Sequence, residues 1–195
     1  MPTQEEPLAG IVERARAGSR DAFDDLIRRF EKNVLKTALY LTRNLDDAQD
    51  VAQEVYLKIF RYLQAFEEAD RINRWVYRIT VNAARDFQRR KRLFLPLEAI
   101  LRSVSPRDPV NQSEIRNRLT EALGILSLNE RAAFIFKELE EMKTAEVAEI
   151  LGCAEVTVRS YLHSARKKLQ RRFRDFREHP VSYTHLRAHE TVLDL

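Results

Sequence analysis

A chain of 195 residues with 44% hydrophobic and 33% charged side chains, but only four glycines and six prolines, points to a soluble, mainly helical protein rather than a sheet-rich one. Its formal charge of +4 and pI of about 9.3 permit an acidic partner such as nucleic acid without requiring one, so charge placement has to decide. The single cysteine, Cys153, excludes an intrachain disulfide and fits a reducing compartment. No apolar run approaches the roughly 20 residues needed to span a bilayer. The first ten residues also lack a basic flank followed by an apolar core, so a cytoplasmic location without membrane insertion is expected.

From Ile11 to about Leu93 the periodicity is helical. Phe23, Leu26, Ile27, Phe30, Val34, Leu35, Ala38 and Leu41 recur at spacings of three and four, which predicts a helix with one buried face. The next unit places Ala48, Val51, Val55, Ile59 and Tyr62 on one stripe, and a third carries Trp75, Ile79 and Ala83 before a basic run. These units predict a first helical domain over residues 1–93. Between Phe94 and Ser113 the pattern fades and Pro96, Pro106 and Pro109 appear, which predicts a linker over 94–113. A flexible coil of that length spans roughly 25 Å, so the two flanking domains could sit some distance apart.

Helical pattern resumes at Ile115 and defines a second domain over 114–179. Ser127 and Glu130 match a capping box, predicting a helix from Leu128. Thr144 is expected to cap the next helix and Gly152 to end it, since glycine takes the left-handed C-cap conformation without steric penalty. Residues 180–195 change character and read as a translated adapter or vector tail, with a genuine flexible tail as the alternative. His185 and His189 lie four apart there, but no third ligand accompanies them, and no metal or other cofactor is expected.

Three constellations carry chemistry. In the stretch from Glu146 to Gln170, Ala148, Gly152 and Val158 supply the small crossing residue, the turn residue and the apolar anchor of a helix-turn-helix. Val147, Leu151 and Leu162 add buried positions, leaving Thr157, Arg159, Ser160, His163, Ser164, Arg166 and Lys167 able to face outward. Arg159, Ser160 and His163 are the base-edge candidates, while Lys167, Lys168 and Arg171 suit phosphate. A plain helical hairpin with a solvated basic face is the alternative. The second constellation is the basic run from Arg85 to Arg92, preceded by Phe66, Trp75 and Tyr77 near Arg71, Arg74 and Asn82. Aromatics among cations suit single-stranded nucleic acid, although a basic helix end needs no ligand and Trp75 suits a core. The third is acidic: Asp46, Asp47, Asp50 and Glu54 with Gln53. It fits a solvated helix start, a docking face for a basic partner or, with further ligands, a magnesium site.

In this order the three blocks resemble an extracytoplasmic-function (ECF) sigma factor, the compact class of bacterial RNA polymerase initiation subunit. The resemblance covers about Asp21 to Arg172. It implies an all-α protein of two small domains joined by a flexible linker, which catalyses no bond chemistry. It further implies that the chain binds the clamp helices and flap of core RNA polymerase, recognises the −35 and −10 promoter elements, promotes melting, is held by an anti-sigma factor, and is monomeric when free. Carried over by position, Asp47, Asp50, Gln53, Glu54, Leu57 and Lys58 correspond to the core-binding helix. Phe66, Arg71, Asn82, Arg85, Arg89 and Arg90 correspond to the −10 region, where the loop from Ala65 to Ile72 captures a flipped base. Thr157, Arg159, Ser160, His163, Arg166 and Lys167 correspond to the −35 reader. The chain departs from the family at Ser127 and Leu128, where proline is frequent, and at Val156, where glycine is frequent. The rival classes are a ligand-binding or dimeric helix-turn-helix repressor, a magnesium-dependent nuclease built on Asp50, and a helical interaction module indifferent to DNA.

Overall fold

The computed structural model describes residues 6–94 and 121–178, and these contain helices and turns but no β-strand. In chain order the helices are α1 (Leu8–Arg16), α2 (Arg20–Thr42), α3 (Leu45–Tyr62), α4 (Ile72–Phe94), α5 (Leu128–Phe134), α6 (Thr144–Leu151) and α7 (Glu155–Glu178). Positions 95–113 of the predicted linker and the whole predicted tail lie outside the described residues. No helix among the described residues is long and apolar enough to cross a membrane.

The first four helices form around the stripes that hydrophobic periodicity requires. Ile11, Val12 and Ala15 of α1 and Leu26, Phe30, Val34, Ala38 and Leu41 of α2 are buried, with Ala48, Val51, Val55 and Ile59 of α3. Their starts are satisfied by side chains: Ser19 Oγ accepts from the Ala22 amide at 3.3 Å and Asn44 Oδ1 from the Asp47 amide at 2.9 Å. Two assignments shift. Tyr62 is 51% exposed, and Leu63, four residues after Ile59, takes the buried place. On α4 the core stripe is Ile72, Val76, Thr80 and Ala83, whereas Trp75 and Ile79 are only half-buried. Thr80 is tolerated there because its hydroxyl donates to the Val76 carbonyl at 2.9 Å.

Helix α4 also buries Tyr77, Val81 and Ala84 on a second face, a consequence of its position between the two halves. The halves are packed together, although the linker length would also allow them to stand apart. Tyr77 meets the fully buried Phe136 edge-on, with ring centroids 5.1 Å apart. Lys36 Nζ lies 2.7 Å from Glu140. The buried Arg131 guanidinium donates to the Leu123 carbonyl at 2.9 Å, to the Leu126 carbonyl at 2.8 Å and, across the joint, to the Leu41 carbonyl. Burial and the nearby Arg43 charge lower its pKa to about 10, so it remains a cation at neutral pH.

The second half bears out its predicted start and stop. Ser127 Oγ accepts from the Glu130 amide at 3.4 Å while Glu130 accepts from the Ser127 amide at 2.8 Å, which closes the capping box at α5. Gly152 ends α6 with φ of 67°, the left-handed conformation that glycine alone adopts without strain. Thr144, expected to cap α6, is instead its first helical residue; Lys143 precedes it, and Glu146 reaches back to accept from the Lys143 amide at 2.9 Å. A carboxylate in the first turn thus satisfies the backbone amide that precedes the helix, a different donor from the one a capping hydroxyl would take.

Candidate nucleic-acid interface

The helix-turn-helix of α6 and α7 is built on apolar contacts. Val147, Ala148 and Leu151 of α6 are buried with Val158, Leu162, Ala165 and Leu169 of α7, and this second stripe turns the opposite pole of α7 to solvent. Of the predicted −35 residues, Arg159, Ser160, His163, Arg166 and Lys167 are exposed and Thr157 is half-buried. Several cations are tied to carboxylates. Arg159 pairs with Glu155 at 3.0 Å, Arg166 reaches Glu138 at 2.6 Å, and Lys168 reaches Glu130 at 2.7 Å. Pairs exposed at the surface exchange readily for phosphate, because each contributes only about 0–1 kcal/mol.

Glu130 is the exception, for its side chain is buried and accepts from Ser164, Lys168 and Ser127 together. It therefore clamps α7 to the start of α5. Burial acts to raise its pKa, but the hydrogen bonds from Lys168, Ser164 and Ser127 outweigh this and hold it at about 2. Because the folded value lies below the ordinary 4.5, its stabilising contribution is complete above that pH. It is lost as pH falls from about 4.5 toward 2. We expect the urea midpoint of the protein to fall more steeply between pH 5 and pH 3 than that of a Glu130→Gln variant; parallel profiles would show that Glu130 carries no such linkage.

The second constellation faces the helix-turn-helix. Phe66 stacks on Trp75, with centroids 4.6 Å apart and planes at 26°. Together with Arg71, Arg74 and Arg78 they line one wall of a cleft whose other wall is Ala148, Glu149, Gly152 and Glu155. Arg71 pairs with Glu68 at 2.9 Å. Arg74, absent from the predicted −10 set, bridges the cleft to Glu146 at 3.4 Å and Glu149 at 3.3 Å. Arg85 is drawn inward: its Nη1 donates to Asn82 Oδ1 at 3.0 Å, its Nε and Nη2 to Asn129 Oδ1 at 3.1 and 3.0 Å, and its Nη2 to the Leu151 carbonyl at 3.3 Å. Arg89 and Arg90 remain exposed. The structure thus brings Asn82 and Arg85 together, but directs Arg85 into the second half of the chain.

On α3 the acidic residues separate into two kinds. Asp47 is held by Lys91 at 2.7 Å, and Lys58 lies 3.5 Å from Glu54 and 3.7 Å from Asp86. Asp50, Gln53 and Leu57 form an outward ridge above a groove completed by Phe87 and Arg90 of α4. Leu57 is 53% exposed and Phe60 69%. Sequence reasoning missed Phe60; about 100° of rotation per residue places it beside Gln53 and Leu57 and away from the Ile59 stripe. Among the described residues no group of three or more His, Cys, Asp or Glu side chains is arranged to hold a metal ion.

The family description "Sigma-70 region 2" matches residues 26–94, which contain α3 and α4, and "Sigma-70, region 4" matches residues 116–169, which contain the helix-turn-helix. The chain is 33% identical over 157 residues to the ECF RNA polymerase sigma factor SigM of Mycobacterium tuberculosis, a match that covers 80% of this chain and 79% of that one. The chain belongs to the ECF RNA polymerase sigma factors. Another similar protein is the ECF sigma factor SigW of Bacillus subtilis, 24% identical over 178 residues and covering 84% of this chain and 95% of that one. The fold is shared with the solved structure of CnrH in complex with the cytosolic domain of CnrY, at a TM-score of 0.64, 23% identity, and coverage of 86% of this chain and 97% of that one. It is shared too with RpoE in complex with the anti-sigma factor NepR from Bartonella quintana, at a TM-score of 0.63 and 23% identity, covering 78% of this chain and 96% of that one. As an ECF sigma factor, the protein serves promoter recognition by RNA polymerase, and its two matched regions contain the three constellations described above.

Proposed function

We propose that this sigma factor grips the promoter at two points while α3 carries it on core polymerase. The outward ridge of Asp50, Gln53 and Leu57 docks on the polymerase clamp helices, with Phe60 extending its apolar part. The Phe66 to Arg71 segment and Asn82 take up the unstacked non-template strand of the −10 element, and Arg89 and Arg90 hold its phosphates. The exposed pole of α7 enters the major groove of the −35 element with its N-terminal half, where Arg159, Ser160 and His163 reach base edges. Melting costs about 1.4 kcal/mol per base-pair step, a cost that captured bases and basic contacts offset without any bond chemistry or cofactor. The protein works in the cytoplasm. An anti-sigma factor is its expected antagonist, by analogy with the relatives seen in complex with CnrY and NepR.

The observation that carries this reading is the pairing of an acidic and apolar ridge on α3 with an exposed, cation-flanked face on α7 in one chain. The closed joint refines it. With Arg85 engaged by Asn129 and Leu151, and Arg74 by Glu146 and Glu149, α4 and the helix-turn-helix separate before both contact DNA. Core polymerase supplies that separation and fixes the spacing of the two grips, so the second contact becomes nearly intramolecular.

Run-off transcription from a promoter enriched by the holoenzyme tests the assignment. Core plus this protein is expected to initiate specifically, and Arg159→Ala to lower −35-dependent transcription about 10-fold, as loss of roughly 1–3 kcal/mol of base contact implies, with core binding intact. Initiation no better than that of core alone would sink the proposal. Tight operator binding without polymerase is instead the behaviour of a repressor, and magnesium-dependent cleavage requiring Asp50 that of a nuclease.

A further inference from the structure

The stripe that anchors α7, Val158, Leu162, Ala165 and Leu169, determines what stands opposite it. At about 3.6 residues per turn the far pole is occupied by Val156, Ser160, His163 and Lys167, spaced four, three and four apart. All four are exposed. Val156 occupies the first turn of the helix, the end that enters the major groove in proteins of this build, and it is 64% exposed. A β-branched aliphatic side chain there adds nothing to the buried core and slightly disfavours the helix. Its neighbours along the ridge are polar. Ser160 donates its hydroxyl to the Val156 carbonyl at 3.1 Å, one turn below, which leaves the isopropyl group standing at the head of the ridge. The flanking cations Arg159 and Arg166 lie to the sides, held by Glu155 and Glu138.

We propose that Val156 is a specificity-determining residue that reads the 5-methyl group of one thymine in the −35 element. In the major groove thymine alone offers a methyl group, and apolar side chains are what recognise it. The adjoining Ser160 and His163 then address the next base edges along the same ridge. This inference rests on the reading of α7 as the −35 recognition helix. It adds a base preference that the polar residues of the helix do not supply.

The test uses holoenzyme assembled from core polymerase and the full chain, on a promoter enriched from a random-sequence pool. Each thymine of the −35 element is replaced in turn by deoxyuridine, which removes the methyl group and leaves every hydrogen-bonding edge intact. Wild-type holoenzyme is expected to lose about fourfold in affinity at one position, the worth of one methyl group taken out of water. Val156→Ala holoenzyme is expected to bind thymine and deoxyuridine at that position equally, and, because the site is exposed, to keep the melting midpoint of the parent. Indifference of the wild type to deoxyuridine at every position overturns the proposal. So does undiminished discrimination by Val156→Ala, or an enriched −35 element with no thymine on either strand. A protected −35 element with any of these results removes only the role of Val156, whereas the absence of −35 protection by the wild-type holoenzyme removes the assignment of α7 itself.

Discussion

Leu57→Asp is expected to abolish promoter-directed run-off transcription and to lower affinity for core polymerase by roughly 30-fold or more, the effect of losing a central contact of at least about 2 kcal/mol. The leucine is 53% exposed on the same ridge as Asp50 and Gln53, so folding gives no reason for it to be apolar there. Large exposed hydrophobic groups rimmed by polar ones mark protein interfaces. The helix beneath is held by Val51, Val55 and Ile59, which the substitution does not touch, so helicity and melting midpoint should match the parent. Co-elution with core polymerase is the direct readout. Undiminished co-elution would move the docking surface away from α3, and a lowered melting midpoint would trace the defect to folding. Asp50 should contribute mainly through long-range attraction, so raising salt is expected to weaken its share of the affinity more than that of Leu57.

Phe136→Ala is expected to cost about 3–5 kcal/mol of stability, as removal of a fully buried aromatic ring usually does. At roughly 2–4 °C per kcal/mol for a protein of this size, the melting midpoint should drop by about 10 °C. Phe136 lies in the second half of the chain and Tyr77 in the first, so its ring contributes both to its own core and to the joint between halves. Urea denaturation of the variant checks the size of the loss. A change below about 1 kcal/mol would mean that this side chain is not packed as the structure places it. The same joint turns Arg85 inward onto Asn129, so under the proposed two-point grip, loosening it should also favour separation of the two halves.

Much of the molecule was legible from periodicity because burial imposes it. The stripes of α2 and α3 follow from three- and four-residue spacing, and the capping box at Ser127 and the glycine stop at Gly152 are local devices whose partners lie within a few residues. The exceptions occur where a helix meets more than one neighbour. Helix α4 buries two faces, so its single predicted stripe, whose Trp75 and Ile79 pack half-buried against the core, did not include Tyr77 or Val81. The candidate sites divide in the same way. Exposure of Arg159, Ser160 and His163 follows from the stripe behind them, whereas the engagement of Asp47 by Lys91 joins side chains more than forty residues apart.

The order of three chemical blocks along the chain, acidic, aromatic with basic, and helix-turn-helix, was enough to name the family, because each block is a local pattern on one helix or one helical pair. The arrangement of the blocks was not. A coil estimate from the predicted linker counts only chain entropy, and it allowed the halves to stand apart. Contacts that no local pattern encodes close them instead: Tyr77 on Phe136, Arg131 on the Leu41 carbonyl, and Arg85 on Asn129 and Leu151. These long-range pairings exist only once the helices are packed, and they decide which cations face solvent and which are turned inward.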